Sequence, residues 1–89
     1  MYYVYFLQSK KSEATYIGFT GNLKLRLIQH NEGLSYSTKN STPWELIYYE
    51  AYKSRKDAMR RERMLKYDGR AKVMLNKKIE DSLCKKSAA

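Results

Sequence analysis

The chain has one cysteine, Cys84, one proline, Pro43, and one histidine, His30, in 89 residues. A lone cysteine excludes an intrachain disulfide and fits a reduced, cytoplasmic setting. With one histidine and one cysteine there is no Cys/His cluster for zinc, so Cys84 is expected as a packed or free surface thiol. The four glycines, at 18, 21, 33 and 69, spell neither a P-loop nor a GxGxxG fingerprint. No stretch approaches the roughly 18 apolar residues of a membrane span. Met1 to Leu7 is apolar but short. It lacks a basic leader, and Gln8, Ser9 and two lysines follow it, so it reads as a strand and not as a signal peptide. Internal repeats and low-complexity tracts are also lacking.

Acidic side chains are the scarcer sign, nine against eighteen Lys and Arg, for a net charge of +9. The imbalance is local. Residues 1–50 carry net +1, and residues 51–89 carry thirteen basic and five acidic side chains, net +8. Such a half is the electrostatic footprint of a phosphate-backbone binder. Solubility, or contact with some other acidic surface, is the bland alternative. Tyrosine is abundant, nine in all, and 43% of the residues are hydrophobic, enough for a folded globule. The length leaves room for one domain, expected over residues 1–85, with 86–89 as a disordered tail.

Residues 2–8 are apolar or aromatic at alternating positions on both faces, which suits a strand covered on both sides. A polar turn from Lys10 to Glu13 leads to a second strand signal over Thr15–Phe19, close enough to form a hairpin. Thr20 or Asn22 can cap a helix over Leu23–Asn31 that closes near Gly33. Residues 33–43 read as a loop and 44–52 as a third strand. Ser54 and Asp57 form a capping pattern for a helix from about Arg55 to Tyr67, stopped by Gly69. A third helix is expected from Ala71 to about Leu83, with Val73, Met74, Ile79 and Leu83 facing inward. The result is a small α+β domain, with a three-stranded antiparallel or mixed sheet flanked by about three helices.

Several polar residues fall where apolar ones belong. At about 100° per residue, with Ala58 at 0°, Leu65 lies near −20° and Met59 near 100°, and Glu62 falls between them at about 40°. A carboxylate on a core-facing stripe costs several kcal/mol unless it is paired, hydrated or metal-bound. Glu62 therefore either pairs with a nearby Arg or Lys at the stripe's edge or serves as a metal ligand. Arg26 and His30, four apart, share one face of the first helix beside Leu23 and Leu27. They are an ordinary flank, or a phosphate clamp and a proton shuttle. The hairpin brings Tyr5 and Tyr16 side by side, with Gly18 allowing close backbone approach.

Together these residues resemble the GIY-YIG nuclease superfamily, and its small stand-alone bacterial members akin to the N-terminal domain of the excinuclease C subunit. Tyr3-Val4-Tyr5 stands where that family carries Gly-Ile-Tyr, and Tyr16-Ile17-Gly18 matches the second motif letter for letter. Asn22 to Asn31 resembles the family's first helix, Pro43 to Glu50 its third strand, and Ala58 to Lys66 its glutamate helix. The resemblance covers about residues 2–83. Phe19 stands where nuclease members often have lysine, and Asn76 lies near the position of a late asparagine found in some.

The resemblance implies a metal-dependent endonuclease acting on DNA more than RNA, in repair or processing. Its catalytic residues would be Tyr5, Tyr16, Arg26, His30 and Glu62. Glu62 would hold one Mg²⁺ or Mn²⁺, Tyr16 would deprotonate a water, with a relay through His30, and Arg26 would stabilise the transition state. Lys24, Arg26, Arg55, Arg63, Lys66 and Arg70 would grip flanking phosphates. Two other readings remain: a catalytically silent nucleic-acid-binding module, and a basic protein-interaction domain, whose binding would depend only shallowly on salt.

Overall fold

A computed structural model describes residues 1–83 of the chain. Three strands, β1 (Tyr2–Ser9), β2 (Thr15–Thr20) and β3 (Trp44–Tyr52), form one antiparallel sheet in the order β2-β1-β3. Helix α1 (Leu23–Asn31) follows β2, and α2 (Arg55–Tyr67) and α3 (Gly69–Lys78) follow β3. The expected loop before β3 contains one 3-10 turn, Lys39–Ser41.

As the central strand, β1 has no solvent face, and Val4 to Ser9 are all buried. Its alternation divides the core in two. Val4 and Phe6 pack with Ile17, Ala58, Leu65, Leu75 and Ile79 under α2 and α3. Tyr5 and Leu7 pack with Trp44, Tyr16, Leu23, Leu27 and Leu46 under α1. Strand β3 changes register between Phe6 and Leu7, which pair with Tyr48 and Leu46 and leave Ile47 as the extra residue. This bulge re-aims the even-numbered side chains. Leu46 faces α1, whereas Tyr48 and Tyr52 pack in the cluster under α2 and α3.

The helix ends follow from local chemistry. The Asn22 side chain caps α1 by accepting the Leu25 N–H, and Ser54 caps α2 by accepting the Asp57 N–H. Gly33, at φ 76°, turns the chain after α1 in a conformation that Cβ-bearing residues rarely adopt. The hairpin is pinned by Ser9, whose hydroxyl accepts the N–H groups of Lys11 and Ser12 and donates to the Ser41 carbonyl.

Two expectations about the third helix are corrected. Gly69 does not merely stop α2; it begins α3, because Asp68 ends one helix and caps the next by accepting from Arg70 and Ala71 N–H. α3 ends at Lys78, short of Leu83, and Val73 and Met74 are exposed. The buried stripe is Ala71, Leu75 and Ile79, at strict four-residue spacing, so two apolar neighbours off that stripe face solvent. The boundary expected at residue 85, Cys84 and the tail 86–89 lie outside the described residues. Among the described residues no helix is long and apolar enough to cross a membrane.

Candidate active site

The second motif's glycine is required by a close approach. A Cβ on Gly18 would lie 2.3 Å from the Tyr5 hydroxyl oxygen and 2.4 Å from its Cζ. Tyr5 is directly opposite Gly18 in the ladder, so the phenol lies flat across the glycine and over β2, an edge strand. The hydroxyl is thereby carried toward α1, where the His30 Nε2 meets it at 2.9 Å.

His30 is fully buried, not packed at a helix edge. Its Nδ1 lies 2.7 Å from the Thr38 hydroxyl, so both ring nitrogens are engaged. Burial, with the Arg26 guanidinium nearby, lowers its pKa to about 4, and the ring is neutral at pH 7. Burial pushes the Tyr5 hydroxyl above the usual phenol range, partly opposed by a hydrogen bond from Arg26, while the charges of Tyr16 and Glu62 push it further up.

Tyr16 completes the aromatic floor. Its ring is 5.1 Å from His30, 6.3 Å from Tyr5 and 6.3 Å from Trp44. Its hydroxyl makes no hydrogen bond to another described residue. The expected relay between Tyr16 and His30 has only this ring contact behind it, because the histidine's hydrogen bonds go to Tyr5 and Thr38. Glu62 reaches the site past the β2 edge. Its Oε2 is 3.1 Å from Lys66 Nζ, and that ammonium is 5.5 Å from the centre of the Tyr16 ring. Glu62 thus sits at the edge of the apolar stripe with a lysine partner, and its charge is near enough to Tyr5 to push that phenol up.

Tyr5, Tyr16, Arg26, His30, Glu62 and Lys66 therefore form one connected group. Arg55 stands at the near end of α2, 5.6 Å over the Phe19 ring, and Arg63 is exposed beyond Glu62. Lys24 and Arg70 are elsewhere. Lys24 lines a groove with Tyr3, Leu46 and Tyr49 on the other flank of α1, and Arg70 lines one between α2 and α3 with Arg61 and Lys78. Sequence reading missed Thr38 and the role of Trp44, whose indole N–H donates to the Thr38 carbonyl and so holds the loop over His30. Thr38 sits among serines, threonines and asparagines with no periodicity to single it out. Only its burial marks it.

Residues 1–78 match the family described as the GIY-YIG catalytic domain. The chain belongs to the GIY-YIG family. Similar curated proteins are a UPF0213 protein of Clostridium perfringens, 35% identical over 81 residues, covering 90% of this chain and 81% of that one, and a UPF0213 protein of Natronomonas pharaonis, 41% identical over 73 residues, covering 80% and 84%. The solution structure of the UPF0213 protein BH0048 from Bacillus halodurans superposes with a TM-score of 0.56 at 26% identity, over the whole of both chains. The group built around Tyr5 and Gly18 thus lies on the two motifs that name the family.

A metal can be accommodated, though not in a preformed cage. No group of three or more His, Cys, Asp and Glu gathers among the described residues. Mg²⁺ commonly takes one or two carboxylates, keeps several waters and completes its shell with substrate phosphate. One half-exposed carboxylate, Glu62, beside an open edge meets that minimum.

Proposed function

We propose that this GIY-YIG chain is a divalent-metal-dependent endonuclease that hydrolyses phosphodiester bonds in nucleic acid, with DNA the favoured polymer. The carrying observation is the Tyr5 hydroxyl, fixed over Gly18 between a buried neutral His30 and Arg26, with Tyr16 and Glu62 alongside. Tyrosine hydroxyls, one guanidinium and one carboxylate suit a phosphate in transfer better than they suit acyl or redox chemistry.

Each side chain then has a task. Tyr5 is held by His30 and stays protonated; with the His30 Nε2–H donating to it, its own O–H would orient the phosphate or the attacking water. Tyr16 has a hydroxyl with no described protein partner; once its own proton has passed to solvent, that oxygen would take the water's proton. Arg26 presents a bidentate fork to the charge that builds on the phosphoryl oxygens. Glu62 would hold Mg²⁺ or Mn²⁺, which when bound supplies Lewis-acid polarisation of the phosphate and of the leaving oxygen. Arg55 and Lys66, on the Glu62 flank of α2, would follow the flanking phosphates, whereas Arg63 shares a groove with Arg60 farther round the helix.

The test is nicking of a supercoiled plasmid with Mg²⁺ or Mn²⁺. The parent should nick, EDTA should abolish nicking, and Glu62→Gln should lose it unless metal is raised. A parent that binds the plasmid and never nicks it would leave a binding module as the better account.

A further inference from the structure

Lys66 occupies the carboxylate that the proposed function gives to a metal. The inference rests on that reading of Glu62 and adds a coupling to it. The Lys66 ammonium is 3.1 Å from Glu62 Oε2, and its side chain is 33% exposed against 24% for Glu62. A divalent cation on the same oxygens would meet a positive charge at contact distance, so ammonium and metal exclude each other.

Nothing locks the lysine in place. It is a point charge on four methylenes, paired i,i+4 on one helix. A pair this exposed is worth a factor of only about two to five. Arg61 on the opposite flank shows the alternative: its Nε and Nη2 grip both oxygens of Glu50 at 2.9 and 3.1 Å, and two tyrosine hydroxyls complete the set. Lys66 has somewhere to go. It lies over the Tyr16 ring, on the side of α2 that also carries Arg55, where a backbone phosphate beside the site would offer it a second anion.

We propose that Lys66 is an exchangeable occupant of the Glu62 carboxylate, transferring to a nucleic-acid phosphate on binding, so that nucleic acid and divalent metal bind with positive coupling. In the free protein the carboxylate is masked and metal affinity is low. Nucleic acid draws the ammonium away and opens the oxygens, and by linkage metal strengthens nucleic-acid binding by the same factor.

Mn²⁺ binding followed by electron paramagnetic resonance tests this on the full chain, alone and with a short phosphorothioate oligonucleotide that resists cleavage. Lys66→Met should bind Mn²⁺ about fivefold more tightly than the parent without oligonucleotide. Lys66→Arg keeps the charge and should not gain. The oligonucleotide should enhance Mn²⁺ affinity less in Lys66→Met than in the parent, by the factor already gained. Thermal melts establish that each variant is folded. If Lys66→Met gains nothing while Glu62→Gln loses Mn²⁺ binding, the masking idea fails and the metal-ligand reading stands. If Lys66→Met gains but the enhancement by oligonucleotide is equal in both, exchange is overturned. If Glu62→Gln binds Mn²⁺ as the parent does, the ligand assignment itself falls, and this inference with it.

Discussion

The two faces of the sheet each carry a cluster of tyrosines with charged partners, and they are built to opposite ends. Under α2 and α3, the Glu50 carboxylate accepts from Tyr48, Tyr52 and Arg61, and every charge and hydroxyl in the set has an answer. Burial and the bond to Glu50 push both phenols up to about 12, so both remain donors. Toward α1 and the β2 edge, Tyr5 is answered by His30, but the Tyr16 hydroxyl has no described partner and Glu62 has one exposed lysine. The same residue types thus serve two purposes. A saturated network contributes stability and has no capacity left for a ligand, while a site must keep some capacity unspent.

Exchanging the damage between the faces breaks the comparison most sharply. Arg26→Ala should lower the cleavage rate on the order of a hundred- to thousandfold, about 3–4 kcal/mol of transition-state stabilisation, with little change in urea unfolding. Excess Mn²⁺ should not restore it, and Arg26→Lys should restore only part, since a point charge lacks the fork. Glu50→Gln should do the reverse. It strands Arg61 in a half-buried place and costs roughly 2–3 kcal/mol of stability, with cleavage per folded molecule unchanged. Loss of specific activity in Glu50→Gln at a temperature where it is folded would refute the division.

His30 sharpens the comparison by pH. Its folded pKa, about 4, lies below the ordinary 6.5 because burial disfavours the imidazolium. Between those values the unfolded chain binds more protons, so stability is full above pH 6.5 and declines as pH falls toward 4. The shift corresponds to about 3 kcal/mol. As the chain's one histidine, it gives a single ring signal in a proton NMR titration. A midpoint near 6.5 would mean that the Tyr5–His30–Thr38 chain is open to water.

Gly18→Ala should come next in size. The added methyl would overlap the Tyr5 phenol at 2.3 Å, and neither the ladder nor the ring can move without disturbing the other. Overpacking of this kind costs roughly 1–3 kcal/mol, and the Tyr5 hydroxyl should leave His30. Gly69→Ala is the control. Nothing lies within 4 Å of its added Cβ, so it should be neutral or slightly stabilising.

The strands, α1 and α2 were legible because period and caps agreed: Asn22 and Ser54 cap where the pattern begins. Glu62 was legible as a carboxylate on an apolar stripe, although sequence could not choose between a nearby Arg or Lys and a metal as its partner. The failures share a cause. Val73 and Met74 were assigned inward for being apolar, but a ten-residue helix has one buried stripe, and Leu75 holds it. Thr38 meets His30 and Trp44 through a loop with no periodic pattern, and the Glu50 cluster is completed by Arg61 from α2, a pairing that neither element announces alone. The Ile47 bulge, which sends Tyr48 to the far face from Leu46, carries no sign in the sequence.

The smallest effect expected is in the salt dependence of nucleic-acid binding, and it probes the flanks of α2. Arg55 and Arg60 are five residues apart and so point about 140° from one another around the helix. Arg55 stands over Phe19 on the flank shared with Glu62, whereas Arg60 is turned the other way and bridges to Asp57 at 3.1 Å. If phosphates run along the flank that bears Glu62, Arg55→Ala removes one counterion-releasing contact. The slope of log K against log salt should then fall by about 0.7 to 0.9, the lower value holding for a single strand. The loss of affinity at any one salt is modest, so the slope and not the dissociation constant is the discriminating quantity. Arg60→Ala removes the same formal charge from the same helix and should leave the slope unchanged, since general attraction to a basic surface does not register a particular phosphate. Equal slope changes in the two variants would mean that the whole C-terminal half acts as a diffuse cation and that nucleic acid does not follow the flank that bears Glu62.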